Sequence, residues 1–486
     1  MSTASAARGA AFLTLGLLLA GAAALAAGSG PAQLTPPLSV DWTFSMGAQP
    51  SNTTTVAVLE GRVYVSHAGT LRCLDTRTGG QFWEFRPGEG GVCTSPVVWE
   101  NLIIVGGTDS RLYGLDAADG SVLWDRSCAG PPVTDPLIVG NRLFVGAQQM
   151  VYSISPPTGQ AEWVCSLSSA ATAGPVHSAG MLYFLTQDGA IQSVDAEQGR
   201  LRWRSPLSGS PRAFSPIIAD RRVIVASGRT VFGIARTGAI SWTAELPGGI
   251  GGTPTLFEDT LYVPCADGHI YRIYPRSGRA LRGAELVADR PMTAPPLVTD
   301  DLVFAGTASG MIYAMDAGTG QVRWSYRCRA PEQTSPEAAR FGLYAPLVSA
   351  DGALYCLTGT GDLYCFSASA PDPAAPRLAQ FEPESGSALP GDAPISIAFS
   401  VTDDGSGVDA ASVQATVDGS RVDVEFDVSS GVGRANLGPL SDGSHVVRLT
   451  ARDYRGNAAT GEWSFLTDSS LLSAEEALTG TAAFEP

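Results

Sequence analysis

Along most of the chain, apolar residues come in short runs that alternate with polar ones at period two. Glycine, proline or aspartate interrupts the runs every few residues, which predicts short strands joined by tight turns. The stretch from Gly174 to Trp203 shows the unit. Gly174-Pro175-Val176 opens an inner strand, and Met181-Leu182-Tyr183-Phe184-Leu185 alternates through a second. Asp188-Gly189 is a hairpin signal. Ala190-Ile191-Gln192-Ser193-Val194 forms a third strand, Glu197-Gln198-Gly199 turns the chain, and Leu201-Arg202-Trp203 is the outer fourth.

That unit repeats. Asp75, Gly79 and Trp83 recur as Asp116, Gly120 and Trp124, as Asp195, Gly199 and Trp203, and as Asp316, Gly320 and Trp324. Weaker copies keep the glycine: Gly159 with Trp163, Gly238 with Trp242, and Gly278 with Arg282. A period near forty is what four strands and their turns require in a propeller blade. The glycine is expected to supply positive φ in the turn. The tryptophan is expected to lay its ring against the next blade, a structural duty that must recur around a ring as a binding site need not.

Inner strands open near Thr55, Pro96, Pro136, Pro175, Pro216, Pro254, Pro295 and Pro346, which makes eight blades. The last blade stops at Ser367 without a Gly-x3-Trp. Val40-Asp41-Trp42-Thr43-Phe44 stands ready at the other end, so the N-terminal strand is expected to close the ring, with Trp42 as the missing plate. Closure removes two free sheet edges. The fold class is therefore all-β: an eight-bladed propeller over 38–370 closed by the N-terminal strand. A proline-rich linker (371–377) and a β-sandwich (378–467) with about seven short alternating runs follow, then a mobile tail (468–486).

Composition narrows the setting. The chain has 486 residues and a formal net charge of −16, which argues against nucleic acid as a partner. All 31 basic residues are arginine, so lysine-dependent chemistry is excluded. Arg8 followed by an apolar run from Ala10 to Ala27 reads as an export signal over 1–26, with Ala24-Leu25-Ala26 as a cleavage site. No later segment is apolar enough to cross a membrane. An extracytoplasmic protein follows, periplasmic or at the cell surface, and monomeric.

The stretch Leu302-Val303-Phe304-Ala305-Gly306, Gly310-Met311-Ile312-Tyr313-Ala314-Met315-Asp316 and Thr319-Gly320-Gln321-Val322-Arg323-Trp324 is specific. It resembles the pyrroloquinoline-quinone-type repeat propellers, and so does the whole of 38–370. That superfamily holds quinoprotein dehydrogenases and the propeller lipoprotein of the outer-membrane barrel-assembly machinery. Residues 403–409 and 453–457 resemble loops of bacterial immunoglobulin-like modules. The dehydrogenase resemblance implies an adjacent-cysteine ring beneath the quinone, a cation held by carboxylates and an amide, and a catalytic aspartate. Here no two cysteines are adjacent and the blades are near minimal length, so the expectation is no catalytic residue and no quinone cofactor.

Other residues carry weaker signals. The eight cysteines all lie in the propeller. Cys356 and Cys365 are symmetric about Thr360-Gly361, so a two-residue hairpin would oppose them; they are either a disulfide or small buried strand residues. Histidines 67, 177, 269 and 445 show no metal-ligand spacing. Asp403, Asp404 and Asp409 offer oxygen ligands in one loop, a weak calcium candidate against the reading of a solvated acidic turn. Ser325 to Tyr344 is an unusually long inter-blade segment, and its Arg327, Arg329, Glu332, Glu337 and Arg340 are the candidate partner-binding residues.

The functional expectation is an exported, non-enzymatic scaffold that binds a protein partner, or a glycan, in the cell envelope or in outer-membrane protein assembly. The alternatives are a quinone-dependent dehydrogenase and adhesion through the sandwich.

Overall fold

The structure, a computed structural model, describes residues 34–471 except 48–53, 89, 209–213, 282, 284, 289, 329–341 and 392–393. The predicted signal segment and most of the predicted tail therefore lie outside the described residues.

The alternating runs become strands where the pattern placed them. The unit at Gly174 is Ala171–Ser178, Met181–Thr186, Ala190–Asp195 and Leu201–Pro206, paired in that order. Eight four-stranded sheets of this kind follow one another from 39 to 367. We number these blades one to eight from Ala57–Leu59, the inner strand of blade one. Inner strands of blades one to seven neighbour each other in sequence order, which generates the ring. Blade eight is composite: Ser39–Ser45 pairs antiparallel with Asp362–Ser367, followed by Ala353–Leu357 and Val348–Ala350.

The repeated tryptophan and glycine form a clasp between blades. Each indole lies over the turn glycine of the next blade and donates its Nε1–H to a carbonyl three residues, or in one case two, before that glycine. Trp42 covers Gly79 and bonds Thr76 O at 2.8 Å; Trp83 covers Gly120 and bonds Ala117 O at 3.2 Å. Trp124 bonds Pro156 O at 2.8 Å over Gly159, and Trp163 bonds Ala196 O at 3.2 Å over Gly199. Trp203 bonds Arg236 O at 2.8 Å over Gly238, and Trp242 bonds Pro275 O at 3.1 Å over Gly278. Two constraints demand glycine at the clasp. Gly159 and Gly199 have φ of 66° and 65°, and a Cβ on either would lie 2.5 Å from the covering indole. Trp42 thus closes the ring by the contact used inside it.

Two junctions depart from the clasp. Between blades six and seven, position 282 lies outside the described residues, and Arg272 Nη1 donates to Ala317 O at 2.9 Å. Between blades seven and eight there is no turn glycine to cover, because the chain leaves blade eight at Ser367. Trp324 instead donates to Ser406 O, in the C-terminal unit, at 2.8 Å.

That unit, from Arg377 to Thr467, is two sheets. One runs in the order Arg377–Glu382, Ile395–Thr402, Val432–Leu437, Glu425–Asp427; the other holds five strands built on Ala458–Thr467, Gly443–Asp453 and Val408–Val417. Nine strands form where about seven runs were expected; Ala388–Leu389 and Ser420–Val422 are too short to show an alternation in sequence. Both sheets pack on one core around Ile397, Phe399, Leu449, Trp463 and Phe465.

Candidate functional site

The richest constellation of charged and aromatic groups lies where the C-terminal unit meets blades seven and eight. Blade seven's outer strand, Val322–Arg327, presents Trp324, Tyr326 and Arg327 in turn. Trp324 is fully buried, against Tyr326 and Phe366 at ring-centroid distances of 6.1 and 5.7 Å. The Tyr326 hydroxyl donates to Asp404 O at 3.0 Å, and Arg327 Nη1 donates to Ser430 O at 2.7 Å. Burial pushes the Tyr326 phenol well above its ordinary range, so it stays a neutral donor. From the other side, Arg455 reaches Ser39 Oγ at 2.9 Å, Ala368 O at 2.6 Å and Ala370 O at 3.2 Å. The backbone N–H of Val40 donates to Gly405 O at 3.0 Å.

Carboxylates gather at the same seam. Asp372, Asp403 and Asp453 each bring an oxygen within 4.8 Å of the others. This corrects the expected calcium set. Asp404 is exposed and contributes its carbonyl to Tyr326. Asp409 caps its own turn through the Ala411 N–H at 3.1 Å. Only Asp403 remains of the three, and its partners come from the linker and from Asp453, far away in sequence. Backbone donors already serve this cluster. Asp403 Oδ1 accepts from Gly405 N at 3.1 Å and Gly407 N at 2.7 Å. Asp372 Oδ2 accepts from Ser406 N at 2.8 Å, and Asp453 Oδ1 from Asn457 N at 2.8 Å. Burial, then the neighbouring Asp372 and Asp453 charges, pushes the Asp403 carboxyl up to about 6 against the pull of those N–H groups. The arrangement fixes the loops that dock the sandwich.

Of the candidate partner-binding residues, Arg329, Glu332, Glu337 and Arg340 lie outside the described residues. Arg327 is engaged inside the chain, as above. Of the two readings of Cys356 and Cys365, the disulfide is not formed, and both are buried strand residues. The hairpin turns through a three-residue loop closed by Thr358 N to Asp362 O at 3.0 Å, so Cys356 opposes Tyr364 and Cys365 opposes Tyr355. The two thiols then face opposite sides of the sheet, Cys365 in the core shared with blade one and Cys356 in the core shared with blade seven.

Sequence spacing did not reveal one polar set. His445 Nδ1 meets Asp418 Oδ2 at 2.7 Å, and its Nε2 meets Thr467 Oγ1 at 2.9 Å. The outline is that of a hydroxyl–imidazole–carboxylate relay. However, the Thr467 hydroxyl donates to Ser441 O at 2.6 Å, and His445 and Thr467 are both buried. The set pins the far end of the sandwich and presents no nucleophile.

None of the cysteines adjoins another in sequence. They do not supply the ring that the dehydrogenase resemblance requires beneath a quinone, so the residues present do not fit that cofactor. No helix among the described residues is long and apolar enough to cross a membrane.

Comparison with known proteins converges on the repeat region. The profile of a family described as outer membrane protein assembly factor BamB matches residues 39–138, 127–229 and 187–393. Outer membrane protein assembly factor BamB of Yersinia pestis is 23% identical over 333 residues, covering 62% of this chain and 80% of that protein. The crystal structure of BamB from Moraxella catarrhalis superposes with a TM-score of 0.53 at 17% identity, covering 69% of this chain and 99% of that one. Quinohemoprotein alcohol dehydrogenase from Comamonas testosteroni gives a TM-score of 0.56 at 16% identity, covering 75% and 80%. At these identities the structural likenesses show a shared propeller fold.

Proposed function

The chain belongs to the BamB family of outer membrane protein assembly factors, and on that footing we propose that it is an exported scaffold without catalytic activity, holding a protein partner during outer-membrane protein assembly. The observation that carries this reading is the family match over 39–393, which includes the whole ring. A ring closed by pairing of its N-terminal strand with the last blade is suited to presenting loops to a partner. The reading includes no quinone, since no two of the cysteines are adjacent in sequence.

The partner contact is assigned to Arg329, Glu332, Glu337 and Arg340, a mixed-charge stretch of the sequence that joins blades seven and eight. The docked sandwich meets blade seven through Trp324 and Arg327. Its loops at 403–407, 427–431 and 453–457 are engaged with the ring, or with the linker that leaves it, so the sandwich steadies this rim and its free end is left for other contacts.

The test is in-cell cross-linking of the full-length protein, followed by identification of the barrel-assembly proteins joined to it. Association that is lost when 330–340 is replaced by a short glycine-serine linker, with a fall in assembled outer-membrane proteins, is the expected result. No association with assembly proteins, and unchanged outer-membrane protein levels on deletion of the whole chain, would contradict it.

A further inference from the structure

Blades seven and eight meet without a clasp glycine, and two thiols face each other at that seam. Cys328 follows blade seven's outer strand, and Cys356 lies in the second strand of blade eight. Their Sγ atoms are 4.0 Å apart, the one thiol–thiol contact among the described residues. We propose that Cys328 and Cys356 are a disulfide site that locks blade seven to blade eight once the protein is in an oxidising compartment. This rests on the export reading.

The backbone around the pair is already fixed. Cys328 N–H donates to Gly310 O at 2.9 Å, and Cys328 O accepts from the Tyr364 hydroxyl at 3.1 Å. Tyr364 is also the cross-strand neighbour of Cys356, so one side chain brackets both cysteines. Closing from thiol contact to a bond of about 2 Å then requires side-chain rotation and little backbone movement. The pair is buried in one apolar cluster with Trp324, Tyr326 and Phe366.

The junction between blades two and three is a built-in control. Cys128 stands four residues after Trp124, as Cys328 does after Trp324. Tyr152 occupies the place of Tyr364 and bonds the backbone at the same point, from Ala129 N at 2.7 Å. The place of Cys356 is taken there by Val145, which opposes Tyr152 and shares an apolar cluster with Cys128. At these places the junction of blades seven and eight has a thiol on both sides, and that of blades two and three has one.

The step is a two-electron oxidation. The two S–H bonds break, one S–S bond forms, and two protons and two electrons leave to a disulfide acceptor: a thiol-oxidising protein of the exporting compartment, or oxidised glutathione, which becomes two glutathione thiols. Burial disfavours the thiolate at Cys328, so exchange in the packed seam is slow and the bond sets while the two blades dock.

The test is to unfold the reduced full-length protein, refold it in a redox buffer of reduced and oxidised glutathione, alkylate free thiols, and map disulfide-linked peptides by mass spectrometry. The expected result is a peptide carrying Cys328 joined to one carrying Cys356, two of the eight thiols protected and Cys128 fully alkylated. Cys328 left alkylatable, or joined to another cysteine, would overturn the proposal. The measurement is on the unaltered chain, so it does not depend on a variant folding. The same map on protein recovered from the producing cell separates the two readings. A pair linked in the glutathione buffer but reduced in the cell keeps the site and counts against export. A pair unlinked in both overturns the site.

Discussion

Trp163 and Trp324 hold the same place in their blades and are held in different ways. Trp163 lies over Gly199 of the next blade, donates to Ala196 O and stays partly open to solvent. Trp324 has no blade turn to cover, donates to Ser406 O across a domain boundary and is fully buried. The ring repeats one contact at six junctions, and where the chain leaves it a second domain supplies the missing surface. The sandwich is therefore a structural part of the last junction, and the linker residue Asp372 belongs to the same seam through Ser406 N and Asn457 Nδ2.

The largest effect expected from breaking this comparison is at the tryptophans. Trp324→Ala removes a fully buried indole and should cost ~3–5 kcal/mol, with the sandwich becoming sensitive to limited proteolysis near residue 371. Trp163→Ala should cost about half as much, because its ring is only partly buried, and should leave the linker protected. Denaturant midpoints and cleavage patterns compared side by side check both. At the clasp itself, Gly199→Ala should cost ~1–3 kcal/mol through strain at positive φ and collision with Trp163. Gly140→Ala has positive φ too but meets open space, so it should cost no more than about 1 kcal/mol. Similar losses at the two glycines would mean that φ alone, and not the covering indole, demands glycine.

Smaller effects sharpen the picture of the docked seam. Arg455→Ala leaves Ala368 O, Ala370 O and Ser39 short of a donor and should weaken docking by ~1–2 kcal/mol without changing the unfolding of the ring. For Asp403 the sign follows from its raised folded pKa of about 6. The unfolded carboxyl ionises more readily, so the group's unfavourable contribution is absent below about pH 4, grows as pH rises to about 6 and is constant above. Asp403→Asn should flatten that dependence, by less than about 1 kcal/mol because the group is part-exposed and screened. Least of all, added calcium should leave the thermal midpoint unchanged, since N–H donors already serve the Asp372, Asp403 and Asp453 oxygens. A rise of several degrees would make that cluster a cation site.

The ring was legible because its chemistry repeats. Gly199 and Trp203 can be read from one unit and checked against others, and Trp42 completes the series from the far end of the chain. What does not repeat was hidden. Nothing local to Ser406 or Arg455 announces that they meet blades seven and eight, because the pairing spans a domain boundary. The acidic cluster was half visible: Asp403 stands out in an aspartate-rich loop, whereas Asp372 and Asp453 join it only through docking. Cys356 and Cys365 misled because their symmetry about Thr360-Gly361 assumed a two-residue turn. One extra loop residue shifts the register and sends the thiols to opposite faces.

The central claim is that the sandwich takes the place of a clasp at the seventh junction. Hydrogen exchange of the full-length Trp324→Phe protein tests it most directly. That change keeps an aromatic ring and removes the indole donor that holds Ser406 O. The account predicts exchange at the 403–407 amides at least about tenfold faster, a loss of roughly 1.4 kcal/mol in docking, with the amides of Ala161–Ser166 unchanged. Unchanged exchange at 403–407 would show that the sandwich sits against the ring without completing it.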